Sequence, residues 1–181
     1  VVDYETYQTM HEGEDYTGQP LIIEGEDYAV KNDSAIRSKA DSSAAVTPYH
    51  PYYKWMATVD GNSWKTVGQR TVWNFSVPED GWYNIMIKGR QNYSRGSVSN
   101  RRLLIDGEVP FTEVEEISFP YDNDWNCLKL GDDAGEEYRF YLTGGKHTLR
   151  LEATLGGMGT ILQDLEDSTF RLNQIYRRIL V

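Results

Sequence analysis

The clearest pattern along the chain is the alternation from Lys146 to Leu155. His147, Leu149, Leu151, Ala153 and Leu155 fall on one side, and Lys146, Thr148, Arg150, Glu152 and Thr154 on the other. A period of two places these sets on opposite faces of an extended strand, one buried and one wet, as antiparallel sheets have it. Tyr138, Phe140 and Leu142 repeat the signature just upstream, and Gly144-Gly145 reads as a tight hairpin joining the two. Trp73, Phe75 and Val77 alternate as well. The turn Pro78-Glu79-Asp80-Gly81 follows them, and Tyr83, Ile85 and Ile87 continue in a return strand. Leu103-Leu104-Ile105 runs into Asp106-Gly107, a further hairpin signal. Short strands, Gly-bearing turns and no intervening helices predict a mostly β, antiparallel sandwich over about residues 20–155.

Beyond Gly156-Gly157 the period changes. Ile161, Leu162, Leu165, Leu172, Ile175, Tyr176 and Ile179 keep helical spacing, and Thr160 with Gln163 has the form of a capping box. The spacing predicts one long C-terminal helix over about 160–178, with Leu165, Leu172, Ile175 and Ile179 lying on the sandwich. Arg171, Arg177 and Arg178 fall towards its C-terminal end, where cations suit the helix dipole. At the other end, Tyr4, Tyr7, Met10 and His11 are spaced for a short helix, and Gly18-Gln19-Pro20 breaks the chain after it. The expected organisation is therefore an acidic leader or linker over residues 1–19 and a domain over 20–181.

Charge sharpens this picture. Eight carboxylates precede Lys31 (Asp3, Glu5, Glu12, Glu14, Asp15, Glu24, Glu26, Asp27), and no Lys or Arg does. The 18 bases of the later chain nearly balance its remaining acids, so the net charge of −10 belongs to the start. A solvated leader is the plain reading of residues 1–17. An acidic domain repels phosphate backbones and anionic lipid, which makes nucleic acid a poor partner. No apolar run is long enough to span a bilayer, so no membrane insertion by this domain is expected. The single cysteine, Cys127, excludes an internal disulfide and reads as a small buried hydrophobe at a strand start. The 13 Tyr, 5 Trp and 5 Phe suit strands, and they also suit surfaces that grip flat apolar ligand faces.

Four segments then carry a resemblance. Leu21-Ile22-Ile23-Glu24-Gly25-Glu26-Asp27-Tyr28 resembles the opening strand, with its pair of glutamates, of carbohydrate-binding modules of families 6, 35 and 36. Val77-Pro78-Glu79-Asp80-Gly81-Trp82-Tyr83-Asn84-Ile85, Leu104-Ile105-Asp106-Gly107-Glu108, and the run Leu142 to Leu151 resemble further landmarks of that group in the same order. The resemblance implies a galactose-binding-like jelly roll. A second likeness, through Gln91 to Gly96, Asp167-Ser168 and Tyr176-Arg177, is to N-terminal modules of long extracellular solute-binding lipoproteins of Gram-positive bacteria. It implies an extracellular or cell-surface location and attachment to a larger parent protein. The long helix departs from the sugar-binding modules, which end in a short loop and strand.

The resemblance assigns a structural calcium to the pair Glu24 and Glu26. Two hard carboxylates sharing one strand face suit that cation. The alternative is a solvated pair. For a sugar, physics asks for an exposed aromatic plane with amides or charges in reach of hydroxyls. The segment Arg90 to Gly96 offers Tyr93 with Asn92 and Arg95; Tyr121 to Asn126 offers Trp125 with Asn123; Tyr49 to Trp55 offers a third set, and Trp64 stands alone. Taken singly, each ring reads more readily as capping a sandwich end or packing a loop, and Trp73 and Trp82 read as core or sheet surface. His147 alternates inward, His50 lies in a Pro-rich loop and His11 in the leader; no nucleophile elbow, zinc motif or phosphate loop is present. The expected function is thus a non-catalytic module that binds a neutral glycan. The competing expectation is a docking module, without a ligand, that packs against the rest of its parent.

Overall fold

The computed structural model describes residues 1–93 and 95–179. Its chain order is α1 (Tyr4–Met10), β1 (Val30–Lys31), β2 (Ser38–Asp41), β3 (Trp55–Val59), β4 (Arg70–Val77), β5 (Gly81–Asn84), β6 (Met86–Gly89), β7 (Val98–Ile105), a 3-10 turn (Thr112–Glu115), β8 (Ile117–Pro120), β9 (Asn126–Lys129), β10 (Arg139–Leu142), β11 (Gly145–Thr154) and α2 (Gly157–Ile179). The alternating segment forms β11, the middle of a five-stranded antiparallel sheet ordered β1-β4-β11-β7-β8. Three antiparallel pairs, β10-β5, β2-β3 and β6-β9, contribute to the facing layer.

The inward residues behave as their period requires, except Leu155, which lies past the end of β11 and is exposed. His147, Leu149, Leu151 and Ala153 are buried, and so are Trp73 and Val77 on β4 and Leu103 on β7. They meet Trp82, Phe140 and Leu130 of the other layer, with Phe111 and Val114 from the 3-10 region completing the core. Ile85, Ile87 and Leu128 pack against the same cluster.

Two expected hairpins are instead corners. Pro78–Gly81 connects β4 to β5, and Thr143–Gly144 connects β10 to β11, yet β4 pairs with β11 and β5 with β10. Each connection crosses from one layer to the other, and the two run side by side. The Gly144 N–H donates to Asp80 Oδ1 at 2.6 Å, and a Cβ on Gly144 would meet Glu79 Cα at 3.2 Å. Turn residues specify a reversal, whereas the strand that lies alongside is chosen by packing. At Asp106-Gly107 the tight turn is present: φ is 52° and 90°, and Ile105 and Glu108 exchange backbone hydrogen bonds at 2.9 and 3.0 Å. Two successive positive φ values suit a tight I′-type reversal.

The N-terminal segment is part of the fold and not a solvated tail. Asp3 caps α1 by accepting from the Thr6 N–H at 2.7 Å. Tyr7 is buried against Trp82 and Phe111, and its hydroxyl accepts from the Tyr141 N–H at 3.1 Å. Tyr16 N donates to Trp82 O, and Trp82 N to Glu14 O, each at 3.0 Å, so the acidic run lies along the β5 edge. Residues 21–28 do not form the expected opening strand. Leu21 and Ile22 are exposed, and Glu24 to Asp27 form a turn closed by the Asp27 N–H on Glu24 O at 3.2 Å.

The helix departs most from expectation. It begins at Gly157, three residues before the Thr160 cap position, and Glu116 Oε1 accepts from the Gly157 N–H at 2.9 Å. Leu165, Leu172 and Ile175 are 61%, 67% and 54% exposed, so α2 leaves the sandwich instead of lying on it. The apolar stripe exists as the spacing predicts, but the sandwich core is already closed by Tyr7, Phe111 and Val114. The side chains of Thr160 and Ile179 lie outside the described residues.

Candidate functional site

β6 and β9 pair with Gly89 opposite Asn126, so the segment after Gly89 and the segment before Asn126 leave the same end of one strand pair. This register joins the two expected loops: the Asp122 N–H donates to Gln91 O at 2.8 Å. Gly89 has a packing reason at this point, since the Phe119 ring lies 3.1 Å from where its Cβ would be. Within the first loop, Gln91 accepts from the Tyr93 N–H at 3.1 Å and donates to Ser97 O at 3.0 Å, tying both ends together. Within the second, Asp122 accepts from the Asp124 N–H at 2.9 Å and from Asn126 Nδ2 at 2.6 Å. These bonds hold the Asp122 carboxyl below its usual range. Tyr121 donates to Asn123 Oδ1 at 3.0 Å.

β2 supplies the third wall. Lys39 Nζ donates to the Tyr93 hydroxyl at 3.3 Å and lies 3.7 Å from Asp60. Asp41 accepts from Arg90 Nη2 at 2.9 Å, and the Arg90 guanidinium stands 4.8 Å from the centroid of Trp125. Tyr93 rests beside Gly61 and is exposed; Trp125 is half-buried, with its indole Nε1 buried and unpartnered. Asn92, Arg95 and Asn123 are exposed around them. Trp55, directly opposite Asp41 in the β2-β3 pair, is also exposed, as are Tyr52 and Tyr53 in the preceding loop. A shallow pocket of about 300 Å³ adjoins, lined in part by Arg90, Gln91, Phe119, Asp122, Asn126 and Leu128. The arrangement offers rings, amides and guanidinium groups on one end of a rigid scaffold, where binding residues tend to sit.

Composition marks both loops in the sequence, which the structure brings side by side, but not Lys39 and Asp41 next to them. No local signal marks them, because Ser-Lys-Ala-Asp has no apolar alternation and its place depends on pairing with β3. Trp64 does not join this group. Its Nε1 donates to Gln69 O at 3.1 Å, its ring packs on the core near Trp73, and Arg101 covers one face at 4.5 Å. Arg101 is itself buried, which pulls its pKa down to about 10, and it donates to Trp64 O at 2.8 Å. Cys127 is exposed, contrary to its reading as a buried hydrophobe, since its strand lies at the edge of a two-stranded pair.

Glu24 and Glu26 sit on the turn and not on a strand face. Thr47 donates its hydroxyl to both Glu24 oxygens, at 3.1 and 3.0 Å. Glu26 Oε2 is buried and unpartnered, and burial, reinforced by Glu24 and Asp27, pushes the Glu26 carboxyl up. An orphaned carboxylate oxygen among like charges fits a hard cation or a proton. Among the described residues, no group of three or more His, Cys, Asp or Glu converges as a metal cluster would. His147 is fully committed: Nδ1 meets Asp106 Oδ2 and Nε2 meets Thr143 O, each at 2.6 Å.

The strand order and the closed two-layer core define an antiparallel β-sandwich. Its fold is similar to that of a family 35 carbohydrate-binding module from Clostridium thermocellum, at 16% identity and a TM-score of 0.53, over 76% of this chain and 88% of that one. It is similar also to part of a cycloisomaltooligosaccharide glucanotransferase from Paenibacillus sp., solved with cycloisomaltoheptaose, at 21% identity and a TM-score of 0.52. That match takes in 77% of this chain and 17% of the glucanotransferase. No protein-family model matches the sequence, and no curated protein matches it.

Proposed function

We propose that this chain is a non-catalytic carbohydrate-binding module of a larger extracellular or surface protein, and that it takes a neutral glycan at the joined loops. The observation that carries the reading is the Asp122–Gln91 junction, which brings Tyr93 and Trp125 to one end of the sandwich amid Asn92, Arg95 and Asn123. A pyranose C–H face stacks on the exposed Tyr93 ring, and Trp55 extends the apolar surface for a second sugar unit. Asn92, Arg95 and Asn123 read hydroxyls. Arg90, held between Asp41 and the indole, fixes the Trp125 plane. The docking alternative would have these loops and the helix pack against the rest of the parent; exposed Tyr93 and Trp55, set among amides and guanidinium groups, favour a ligand at the loops. A neutral ligand suits a site whose cations Lys39 and Arg90 are already paired with Asp60 and Asp41. A parent of the solute-binding lipoprotein type would use such a module to hold glycan near its transport site.

We propose further that Glu26, with Glu24 beside it, holds calcium or another oxygen-seeking cation that pins the turn beneath Trp73, whose Nε1 donates to Gly25 O at 3.0 Å. A glycan array tests the main reading. The wild-type chain should bind a neutral oligosaccharide, and Tyr93→Ala should weaken that binding by roughly 5- to 150-fold, the loss of about 1–3 kcal/mol of stacking. Equal binding by both proteins would reject the site.

A further inference from the structure

α2 is a 23-residue helix, about 34 Å long, tied to the sandwich at its first turn by Glu116. Most helices draw their stability from burying an apolar face, and this one leaves such a face in water. Met158, Ile161, Leu165, Leu172 and Ile175 are all more than half exposed, and their spacing alternates three and four residues with one gap, at Ser168. That is the a/d repeat of a two-helix seam. Charge along the helix is divided: Asp164, Glu166 and Asp167 occupy the first half, and Arg171 lies in the second. All four are exposed.

We propose that α2 is a self-docking element through which two copies of this chain pair in antiparallel fashion. In the register that sets Leu165 across from the second copy's Ser168, Ile161 meets Leu172 and Met158 meets Ile175. The small Ser168 then receives a leucine, twice by symmetry, and the gap in the repeat is filled. The flanking positions place Asp164 of each copy beside Arg171 of the other, again twice. Parallel pairing fails on both counts. It would set Ser168 against Ser168, lay the acidic halves together, and bring Asp164 and Arg171 opposite Thr169 and Tyr176. The antiparallel arrangement also puts the two sandwiches at opposite ends of the helix pair. About five turns of seam lie at the small end of interfaces that hold, below about 1,200 Å², so the dimer forms only at raised concentration. It would double the sandwich sites in one particle, and an avidity gain would follow on a surface carrying repeated ligand.

Sedimentation equilibrium of the full chain from about 5 to about 200 µM reads the association directly. The expected result is a monomer–dimer equilibrium, abolished by Leu165→Asp with Leu172→Asp while the sandwich keeps its melting profile. Asp164→Arg or Arg171→Asp alone should weaken pairing about tenfold, and the two together should restore it to within about twofold, because opposite charges face again. A chain that stays monomeric throughout overturns the proposal and leaves the face to another occupant, such as a further part of a longer protein. A dimer that the charge swap does not rescue overturns the antiparallel register.

Discussion

His147 faces two acceptors at once, a carboxylate and a carbonyl, so both ring nitrogens must donate and the ring is an imidazolium when both bonds are made. Burial opposes that charge, but the Thr143 carbonyl and Asp106 outweigh it and hold the His147 pKa above the ordinary imidazole value. Asp106 moves the other way. Burial raises it, while His147 and the Thr148 N–H more than offset this and leave it below the ordinary carboxyl value. A raised histidine contributes stability that is present below about pH 6.5 and lost as pH rises through its folded pKa. A depressed aspartate contributes stability present above about pH 4 and lost as pH falls. Thermal melts should therefore show a plateau on the mildly acidic side and a decline as pH rises above about 6.5, which His147→Gln should flatten. A wild-type melting temperature constant over that interval would mean that the ring is neutral. The Glu26 carboxyl provides a second residue-scale test. If its orphan oxygen takes a cation, added calcium should raise the melting temperature and EDTA should lower it again, and Glu26→Gln should remove the response. No response in the wild type would assign the site a proton instead.

At the scale of elements, what was legible followed periodicity. β4, β10 and β11 and the long helix announce themselves by a period of two or of 3.6, because burial on one face filters residue type at that spacing, and β7 shows only as an apolar run before Asp106-Gly107. Strand partners were not legible. Pro78–Gly81 and Gly144-Gly145 carry good turn chemistry, yet both turns cross layers, since the pairing depends on which faces meet in the core. The site was half legible for the same reason. Tyr93 and Trp125 stand out by composition, whereas Lys39 and Asp41 reach them only through the β2-β3 register. The helix shows the limit of a stripe, which says that a face must be covered and not by what. An exposed Leu172 changes the expectation for Leu172→Asp. Instead of the several kcal/mol expected of a residue packed on the sandwich, the sandwich of the dilute protein should lose no more than about 0.5 kcal/mol. Chemical denaturation followed by tryptophan fluorescence measures this, and a loss above about 2 kcal/mol would place the face against the sandwich after all.

For the whole molecule, the acidic excess is not an appended tail. α1 and the run to Tyr16 line β5, so Glu14 and Asp15 are held at that edge while still exposed, with Asp15 accepting from Arg139 at 3.0 Å. The net charge of −10 is thus a property of the folded body, which is ill suited to polyanions. No helix among the described residues is long and apolar enough to cross a membrane. Apart from the apolar face of α2, the molecule presents rings on loops tied together by Gln91 and Asp122. Whether these loops hold a glycan is read out by amide chemical-shift mapping of the 15N-labelled chain with an oligosaccharide selected on the array. A glycan on these loops should shift residues 90–95 and 121–126, with Lys39, Asp41 and Trp55, and leave the sheet β1-β4-β11-β7-β8 quiet. Shifts centred elsewhere, or none at saturating sugar, would contradict that placement.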